Sequence, residues 1–132
     1  MIAYDTNVLI YALEGNSVWA EAAQAIVEEG EHNGAVLSVL AWQELLTGAV
    51  LNTDSDGALA SLLDDLSATK FVPVTQRICA KAIELTKQYG KRLYGYDAIH
   101  LATALDYKAN TYITNDRALL GIKIEGLEIR GL

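Results

Sequence analysis

Four acidic side chains stand at points of the chain where they could do chemistry: Asp5, Glu44, Asp97 and Asp116. Carboxylates that are packed together repel one another and resist ionisation unless cations neutralise them. Their oxygens are hard ligands that suit Mg²⁺ or Mn²⁺. Two such ions about 3.5–4 Å apart can activate a water and stabilise the leaving oxygen in phosphodiester hydrolysis. If the fold brings the four acids together, the sequence predicts a divalent-metal site.

The alternation of strands and helices along the chain would bring them together. Short apolar runs predict strands at residues 1–4, 35–38, 71–74, 111–114 and 127–129. Amphipathic stretches predict helices at residues 8–13, 17–29, 40–46, 54–66, 75–89 and 96–108. This pattern is typical of a three-layer α/β/α sandwich with a central, mostly parallel sheet of about 4–5 strands. Pro73 predicts an edge position or a strand end for the third strand, because proline lacks a backbone N–H.

The positions of the acids fit the ligand-binding edge of such a sheet, which lies beyond the carboxyl ends of the strands. Asp5 follows the first strand directly, and Asp116 follows the fourth after two residues. Asp97 begins a predicted helix, and Glu44 lies early in the helix that leaves the second strand. Each acid also has a structural interpretation, since aspartate often caps a helix and Glu44 could be a solvated helix residue. The joint placement favours a common site.

Composition suits one compact domain over residues 1–132, with 52% hydrophobic residues and one proline. The formal charge is −7. Residues 1–69 hold 11 acidic and no basic residues, whereas residues 70–132 hold all 10 Lys and Arg and 6 acidic residues. This asymmetry permits a basic face on an acidic protein, so the net charge does not exclude a nucleic-acid partner.

The cysteine content of the sequence and its lack of targeting patterns indicate where the protein is located. The single Cys79 excludes an intrachain disulfide, and its apolar neighbours predict a buried, inert thiol. No apolar run reaches the roughly 18 residues of a membrane helix, and no signal-peptide pattern is present. We therefore expect a cytoplasmic protein with no membrane association.

Four ordered blocks of sequence resemble the PIN domain family, and within it the VapC-type toxin ribonucleases of toxin–antitoxin pairs. The first is Asp-Thr-Asn-Val-Leu-Ile at residues 5–10, and the second runs from Leu37-Ser38 through Glu44-Leu45 to Gly48-Ala49. The third is Tyr-Asp-Ala-Ile-His-Leu-Ala-Thr-Ala at residues 96–104, and the fourth is Ile-Thr-Asn-Asp at residues 113–116. Together the blocks cover nearly the whole chain.

The resemblance implies an endoribonuclease that uses Mg²⁺ or Mn²⁺, with two ions held by the four acids. It implies that Asp5 and Asp97 are direct metal ligands, and that Glu44 and Asp116 complete the site directly or through water. It also implies an RNA substrate, a cognate antitoxin protein and a homodimer. In the implied mechanism a metal-bound hydroxide attacks the phosphorus and leaves 5′-phosphate and 3′-hydroxyl ends.

Four polar residues beside the acids resemble the family's supporting positions. The hydroxyls of Thr6 and Thr114 would orient an acid or a metal-bound water. Asn7 and Asn115 could act similarly, although asparagine at a helix start is commonly a turn residue. His100 lies one helical turn after Asp97, and we interpret it as a structural histidine because the implied mechanism needs no imidazole.

A basic segment before Asp97 is a candidate for RNA binding, because cations bind phosphates and aromatic rings stack on bases. The alternative is a solvated helix end whose tyrosines pack in the core or in a dimer interface. The residues concerned are the cations Lys87, Lys91 and Arg92 and the tyrosines Tyr89, Tyr94 and Tyr96.

Other functions fit the sequence less well. A haloacid-dehalogenase phosphatase would want a second aspartate where Asn7 stands, and a response-regulator receiver would want an acidic pair near the first strand. Two alternatives stay open: a PIN nuclease of RNA processing, and a PIN-like module that binds RNA or protein without cutting.

Overall fold

The computed structural model describes residues 1–15, 17–51 and 56–132 of the chain. The strands are β1 (Ile2–Tyr4), β2 (Ala35–Ser38), β3 (Thr69–Val72), β4 (Thr111–Ile113) and β5 (Glu128–Arg130). The helices are α1 (Thr6–Glu14), α2 (Ala20–Asn33), α3 (Val39–Leu51), α4 (Asp56–Asp65), α5 (Gln76–Tyr89), α6 (Gly95–Asp106) and α7 (Arg117–Leu120). Residue 16 and the start of the helix predicted over residues 54–66, at Asp54 and Ser55, lie outside the described residues.

The five strands form one sheet in the order β3-β2-β1-β4-β5, and every strand pairing in it is parallel. The predicted, mostly parallel sheet is therefore confirmed. The chain builds β2 and β3 on one side of β1 and then β4 and β5 on the other. The winding thus reverses between β1 and β4, and a parallel sheet leaves a crevice at such a switch point, beyond the carboxyl ends of the strands.

Successive strand residues point to opposite faces of the sheet, and both faces are covered by helices. Ile2 and Tyr4 of β1 pack with α1, α2, α3 and α4, whereas Ala3 between them packs with α5 and α6. This arrangement confirms the predicted α/β/α sandwich. Within the described ranges, no helix is long and apolar enough to cross a membrane.

Strand β3 occupies the edge of the sheet, as Pro73 predicted, but it begins and ends two residues earlier than predicted. Its register is set by β2, with which it pairs residue by residue from Ala35↔Thr69 to Ser38↔Val72. Pro73 follows the last paired residue, where no ladder N–H is needed.

Helix α2 also differs from the prediction at both ends, because it begins at Ala20 rather than Ser17 and continues to Asn33. The Ser17 hydroxyl accepts a hydrogen bond from Trp19 N in a turn before the helix. Trp19 is 40% exposed, since it precedes the first turn of the helix.

The prediction of a buried Cys79 is wrong, because its thiol is exposed. The inward face of α5 carries Ile78, Ala82 and Leu85 at helical spacing. Cys79 falls one position beyond Ile78 and is turned away from the sheet.

Helix α2 packs closely on the sheet at Gly30. A Cβ atom on Gly30 would lie 2.9 Å from Ala35 Cβ and 3.7 Å from the ring of Tyr4. The backbone of β2 carries Ala35 and cannot easily give way. The absence of a side chain at position 30 therefore sets the distance between α2 and the sheet.

We predict that Gly30→Ala lowers the free energy of unfolding by about 1–3 kcal/mol through overpacking. The matched control is Gly48→Ala in α3, where an added Cβ meets no atom within 4 Å. That substitution should raise stability by roughly 0.5–1 kcal/mol, because glycine is unfavourable in a helix. Urea denaturation of both variants gives the measurement, and equal stability of the two would contradict the packing argument.

Candidate active site

The carboxyl ends of β1 and β4 open into a small cavity of about 160 Å³. The cavity therefore lies at the switch point of the sheet. Its lining brings together all four acids that the sequence singled out, although they come from four separate parts of the chain. The lining residues are Asp5, Thr6, Asn7, Glu44, Asp97, His100 and Asp116.

Asp5 is both a helix cap and a wall of the cavity. Its Oδ1 accepts a 2.7 Å hydrogen bond from Asn7 N at the start of α1, and its Oδ2 accepts a 2.6 Å bond from the Thr114 hydroxyl. Asp5 is only 8% exposed. The structural and functional interpretations of Asp5 are thus compatible, because the bonds that cap α1 also fix the carboxylate at the cavity.

Asp116 is arranged in a similar way on the neighbouring strand. It caps α7, with Oδ1 accepting a 2.9 Å bond from Ala118 N. Its own backbone N donates to the Thr114 hydroxyl at 3.0 Å. Thr114 therefore ties Asp5 and Asp116 to one fully buried hydroxyl.

Glu44 reaches the cavity from α3, and one of its oxygens carries two contacts. Oε1 accepts a 3.2 Å bond from the Thr6 hydroxyl and a 2.9 Å bond from His100 Nε2. The other ring nitrogen of His100, Nδ1, lies 3.1 Å from the Ser38 hydroxyl. Thr6 thus orients an acid, which is one of the two tasks that the resemblance implied for it.

Asp97 lies in the first turn of α6, whose N-cap is Tyr94. In the described part of the chain, no group donates a hydrogen bond to its carboxylate. Asp97 differs in this from Asp5, Glu44 and Asp116, each of which accepts at least one. Asp97 is therefore the acid of the cavity whose negative charge is least offset by hydrogen bonds from the protein.

The electrostatics of the cavity follow from these contacts. Burial and the nearby charges of Asp116 and Asp5 raise the pKa of Asp97. Burial also raises the pKa of Asp5, although the bonds from Thr114 and Asn7 oppose the rise. The hydrogen bond from His100 is the main cause that lowers the pKa of Glu44. The protein thus holds Glu44 ionised and leaves Asp97 resisting ionisation.

The two asparagines that the sequence singled out, Asn7 and Asn115, differ in whether they line the cavity. Asn7 lines the cavity, and its backbone N–H supports Asp5. Asn115 does not line the cavity; its Oδ1 accepts a 3.0 Å bond from Leu132 N and so holds the segment after β5. The side-chain oxygen of Asn115 therefore contacts the backbone near the end of the chain and not the acids of the cavity.

The basic segment lies near the cavity but does not line it. Lys87 pairs with Glu84 at 3.4 Å on the surface of α5, and Lys91 is exposed in the short 3₁₀ turn after that helix. Arg92 donates a 3.3 Å bond to Ala118 O in α7, the helix that Asp116 caps. Arg92 thus contacts the helix that Asp116 caps, and none of the three cations lines the cavity.

The tyrosines of the same segment are not equivalent. Tyr89 donates through its hydroxyl to Lys123 O at 3.0 Å and is partly buried. Tyr94 and Tyr96 are 64% and 61% exposed on either side of the α6 start. These two rings are therefore available for contact with a partner.

Ser38 and His100 are the site residues that the sequence reasoning missed or undervalued. Ser38 is the last residue of β2, and its strand end points to the same edge as those that carry Asp5 and Asp116. His100 follows Asp97 by three residues, which places both on one side of α6. A polar residue at each of these positions was the available signal.

The lining of the cavity fits a hard divalent cation. Its acids offer carboxylate oxygens, and the one imidazole, that of His100, has both ring nitrogens engaged by Glu44 and Ser38. Within residues 1–15, 17–51 and 56–132, no three His, Cys, Asp or Glu side chains are arranged to hold a metal ion directly. Mg²⁺ does not require such a cage, because it takes one or two carboxylates and keeps several waters.

Fold and site together define an α/β protein with four carboxylates around a cavity at the switch point of a parallel sheet. The family model of the PIN domain matches residues 2–124, and the chain belongs to that family. PIN domains are generally nucleases, which places the protein in a nuclease class.

Solved structures with the same fold include toxin–antitoxin complexes. A toxin–antitoxin complex from Klebsiella pneumoniae matches with 25% identity and a TM-score of 0.69, over 96% of this chain and 95% of the other. VapBC2 from Rickettsia felis, bound to a DNA fragment from the promoter, matches with 20% identity and a TM-score of 0.73, over 99% and 98%. FitAcB from Neisseria gonorrhoeae matches with 24% identity and a TM-score of 0.67, over 89% of each chain. The sequences of curated proteins gave no match.

We predict that Asp97→Asn stabilises the metal-free protein at neutral pH. Because the pKa of Asp97 is raised on folding, its ionisation disfavours the folded state. The stability that this group contributes is present below the ordinary carboxyl pKa of about 3.9 and is lost as pH rises through the raised value. The variant should therefore gain stability relative to the unaltered chain as pH rises towards about 7.

Thermal unfolding in EDTA across this pH range measures the effect. The control is Glu125→Gln, which neutralises an exposed acid outside the cavity. An Asp97→Asn gain that does not exceed that of the control, or that is equal at all pH values, would contradict the electrostatic account.

Proposed function

We propose that the protein is a Mg²⁺- or Mn²⁺-dependent endoribonuclease and the toxin of a toxin–antitoxin pair. The observation that carries the proposal is the convergence of Asp5, Glu44, Asp97 and Asp116 on one small cavity. The negative charge of four carboxylates around one cavity favours the binding of divalent cations there. A phosphodiester, which is itself an anion, can approach such a site only when cations offset the acid charge.

The chain's own residues position the reaction. Asp5 and Asp97 are the proposed direct metal ligands, with Glu44 and Asp116 completing the site directly or through water. Thr114 and Thr6 hold Asp5 and Glu44 in fixed orientations, so little reorganisation is needed when substrate binds. Bound divalent cations would supply the activation of water and the stabilisation of the leaving oxygen.

RNA is the proposed substrate, and its contacts lie around the cavity. Tyr94 and Tyr96 offer exposed rings for base stacking beside Asp97. Positive charge for the flanking phosphates comes from Lys91 and Arg92. Lys87 adds to it when it is released from its ion pair with Glu84. This arrangement lets an acidic protein bind a polyanion through one basic border.

The proposed partners are a cognate antitoxin and a second copy of the chain, and the proposed place of action is the cytoplasm. The support is the likeness to complexes described as toxin–antitoxin or VapBC assemblies, at 25% and 20% identity. A neighbouring gene for a small DNA-binding protein would favour this role over RNA processing.

We expect the purified chain, free of antitoxin, to cleave total cellular RNA with Mg²⁺ or Mn²⁺ and not in EDTA. Asp5→Asn and Asp97→Asn should each lower the rate by more than about 100-fold, since changes around a metal's ligands alone cost about 10–100-fold. Glu125→Gln serves as the control for charge and should cleave normally.

Folded Asn variants that cut as fast as the unaltered chain would contradict the proposal. No cleavage by the unaltered chain across a broad RNA set would favour the binding-module alternative.

The chemistry of the product ends gives an independent prediction. Attack by water should leave 5′-phosphate and 3′-hydroxyl ends, because the proposed metal site activates water. Ligation of adaptors that require a 5′-phosphate, followed by sequencing, detects these ends. Ends with a 2′,3′-cyclic phosphate would indicate attack by the RNA's own hydroxyl and would refute the proposed mechanism.

A further inference from the structure

A buried polar chain links the interior of the sheet to Glu44, and the proposed function makes no use of it. Leu40 N donates to the Ser38 hydroxyl at 3.2 Å, and the Ser38 oxygen lies 3.1 Å from His100 Nδ1. His100 Nε2 lies 2.9 Å from Glu44 Oε1. Ser38 and His100 are 1% and 6% exposed, so solvent has little access to the contact between them, whereas the Glu44 side chain is 38% exposed.

The direction of the hydrogen bonds follows from the chemistry of the groups. An ionised carboxylate only accepts, so the proton in the bond to Glu44 belongs to His100 Nε2. The Ser38 hydroxyl accepts from Leu40 N and forms the second hydrogen bond of the ring, with Nδ1. Both ring nitrogens of His100 are therefore engaged, which fixes the orientation of the ring.

We infer that His100 is a positioning residue that fixes the Glu44 carboxylate for metal binding, with Ser38 holding the imidazole in place. The inference rests on the proposed function and adds a residue to it. His100 and Thr6 both donate to Oε1 of Glu44. Oε2 is thereby left as the oxygen of Glu44 that is free to face a cation or its water.

Two other roles for this pair are inconsistent with the geometry. Ser38 is too deeply buried to attack a substrate, and its hydroxyl is already engaged on both sides. His100 cannot ligate a metal without breaking one of its two contacts, because both ring nitrogens are used. A role through Glu44 is the one that keeps the whole network intact.

The test compares His100→Leu, which removes the donor, with His100→Gln, whose amide can place an N–H near the position of Nε2. Mn²⁺ binding is measured by calorimetry, and RNA cleavage in parallel. We expect His100→Leu to weaken Mn²⁺ binding by about 10–100-fold, the usual cost of losing a group that orients a ligand. His100→Gln should recover most of the affinity, and Ser38→Ala should lose less than His100→Leu.

The matched control is Thr103→Val, one turn further along α6. Thr103 is also fully buried, but its hydroxyl donates to Ile99 O within the helix and not to an acid. This variant should bind Mn²⁺ normally. A folded His100→Leu with unaltered affinity would overturn the inference, and so would an equal loss in His100→Leu and His100→Gln, which indicates packing rather than a hydrogen bond. If His100→Leu does not fold, the other two variants decide. The inference would then be overturned by a His100→Gln variant that loses most of its Mn²⁺ affinity, or by a Ser38→Ala variant that loses about 10–100-fold.

Crystal structures of the metal-free variants separate this inference from the proposed function. The Glu44 carboxylate should turn away from its position in His100→Leu and keep it in His100→Gln. If the unaltered chain neither binds Mn²⁺ nor cleaves RNA, the proposed function fails, and the crystal structures alone then decide on His100. An unmoved Glu44 in His100→Leu would overturn the positioning role whatever the activity of the protein.

Discussion

The repulsion among four carboxylates around one cavity of about 160 Å³ is the constraint on which the rest of the site depends. Like charges around so small a cavity disfavour the folded state unless hydrogen-bond donors or cations offset them. The fold supplies donors from groups it already orders. The Thr114 hydroxyl donates to Asp5, and His100 donates to Glu44. Backbone N–H groups in the first turns of α1 and α7 donate to Asp5 and Asp116.

The parallel sheet explains why these donors are available at one place. Helices that begin at the carboxyl ends of strands direct their unpaired N–H groups and positive dipole ends towards the crevice. Asp5 leads from β1 into α1, and Asp116 leads towards α7 after β4. The two acids therefore cap helices and line the cavity with the same side chains. An aspartate at such a position can therefore cap a helix and line the cavity at the same time.

The sequence allowed the fold and the convergence of the acids to be predicted, because both follow from local patterns. Alternating apolar runs and helical stretches define a parallel sheet, and Asp5 and Asp116 follow strands directly. Register and orientation could not be predicted in the same way. The start of β3 depends on pairing with β2, which no pattern within residues 69–74 reveals. Cys79 has apolar neighbours but lies on the outer face of α5, a matter of one position on the helix.

The pair of His100 and Ser38 shows a different kind of limit. The two residues are 62 positions apart, and only the packing of α6 against β2 brings them together. The hydrogen bond from His100 lowers the pKa of Glu44, whereas burial and the charges of Asp116 and Asp5 raise the pKa of Asp97. Glu44 accepts hydrogen bonds from Thr6 in α1 and His100 in α6, whereas Asp97 accepts none in the described part of the chain. Tertiary packing, rather than the local sequence around each acid, therefore decides which acid receives donors.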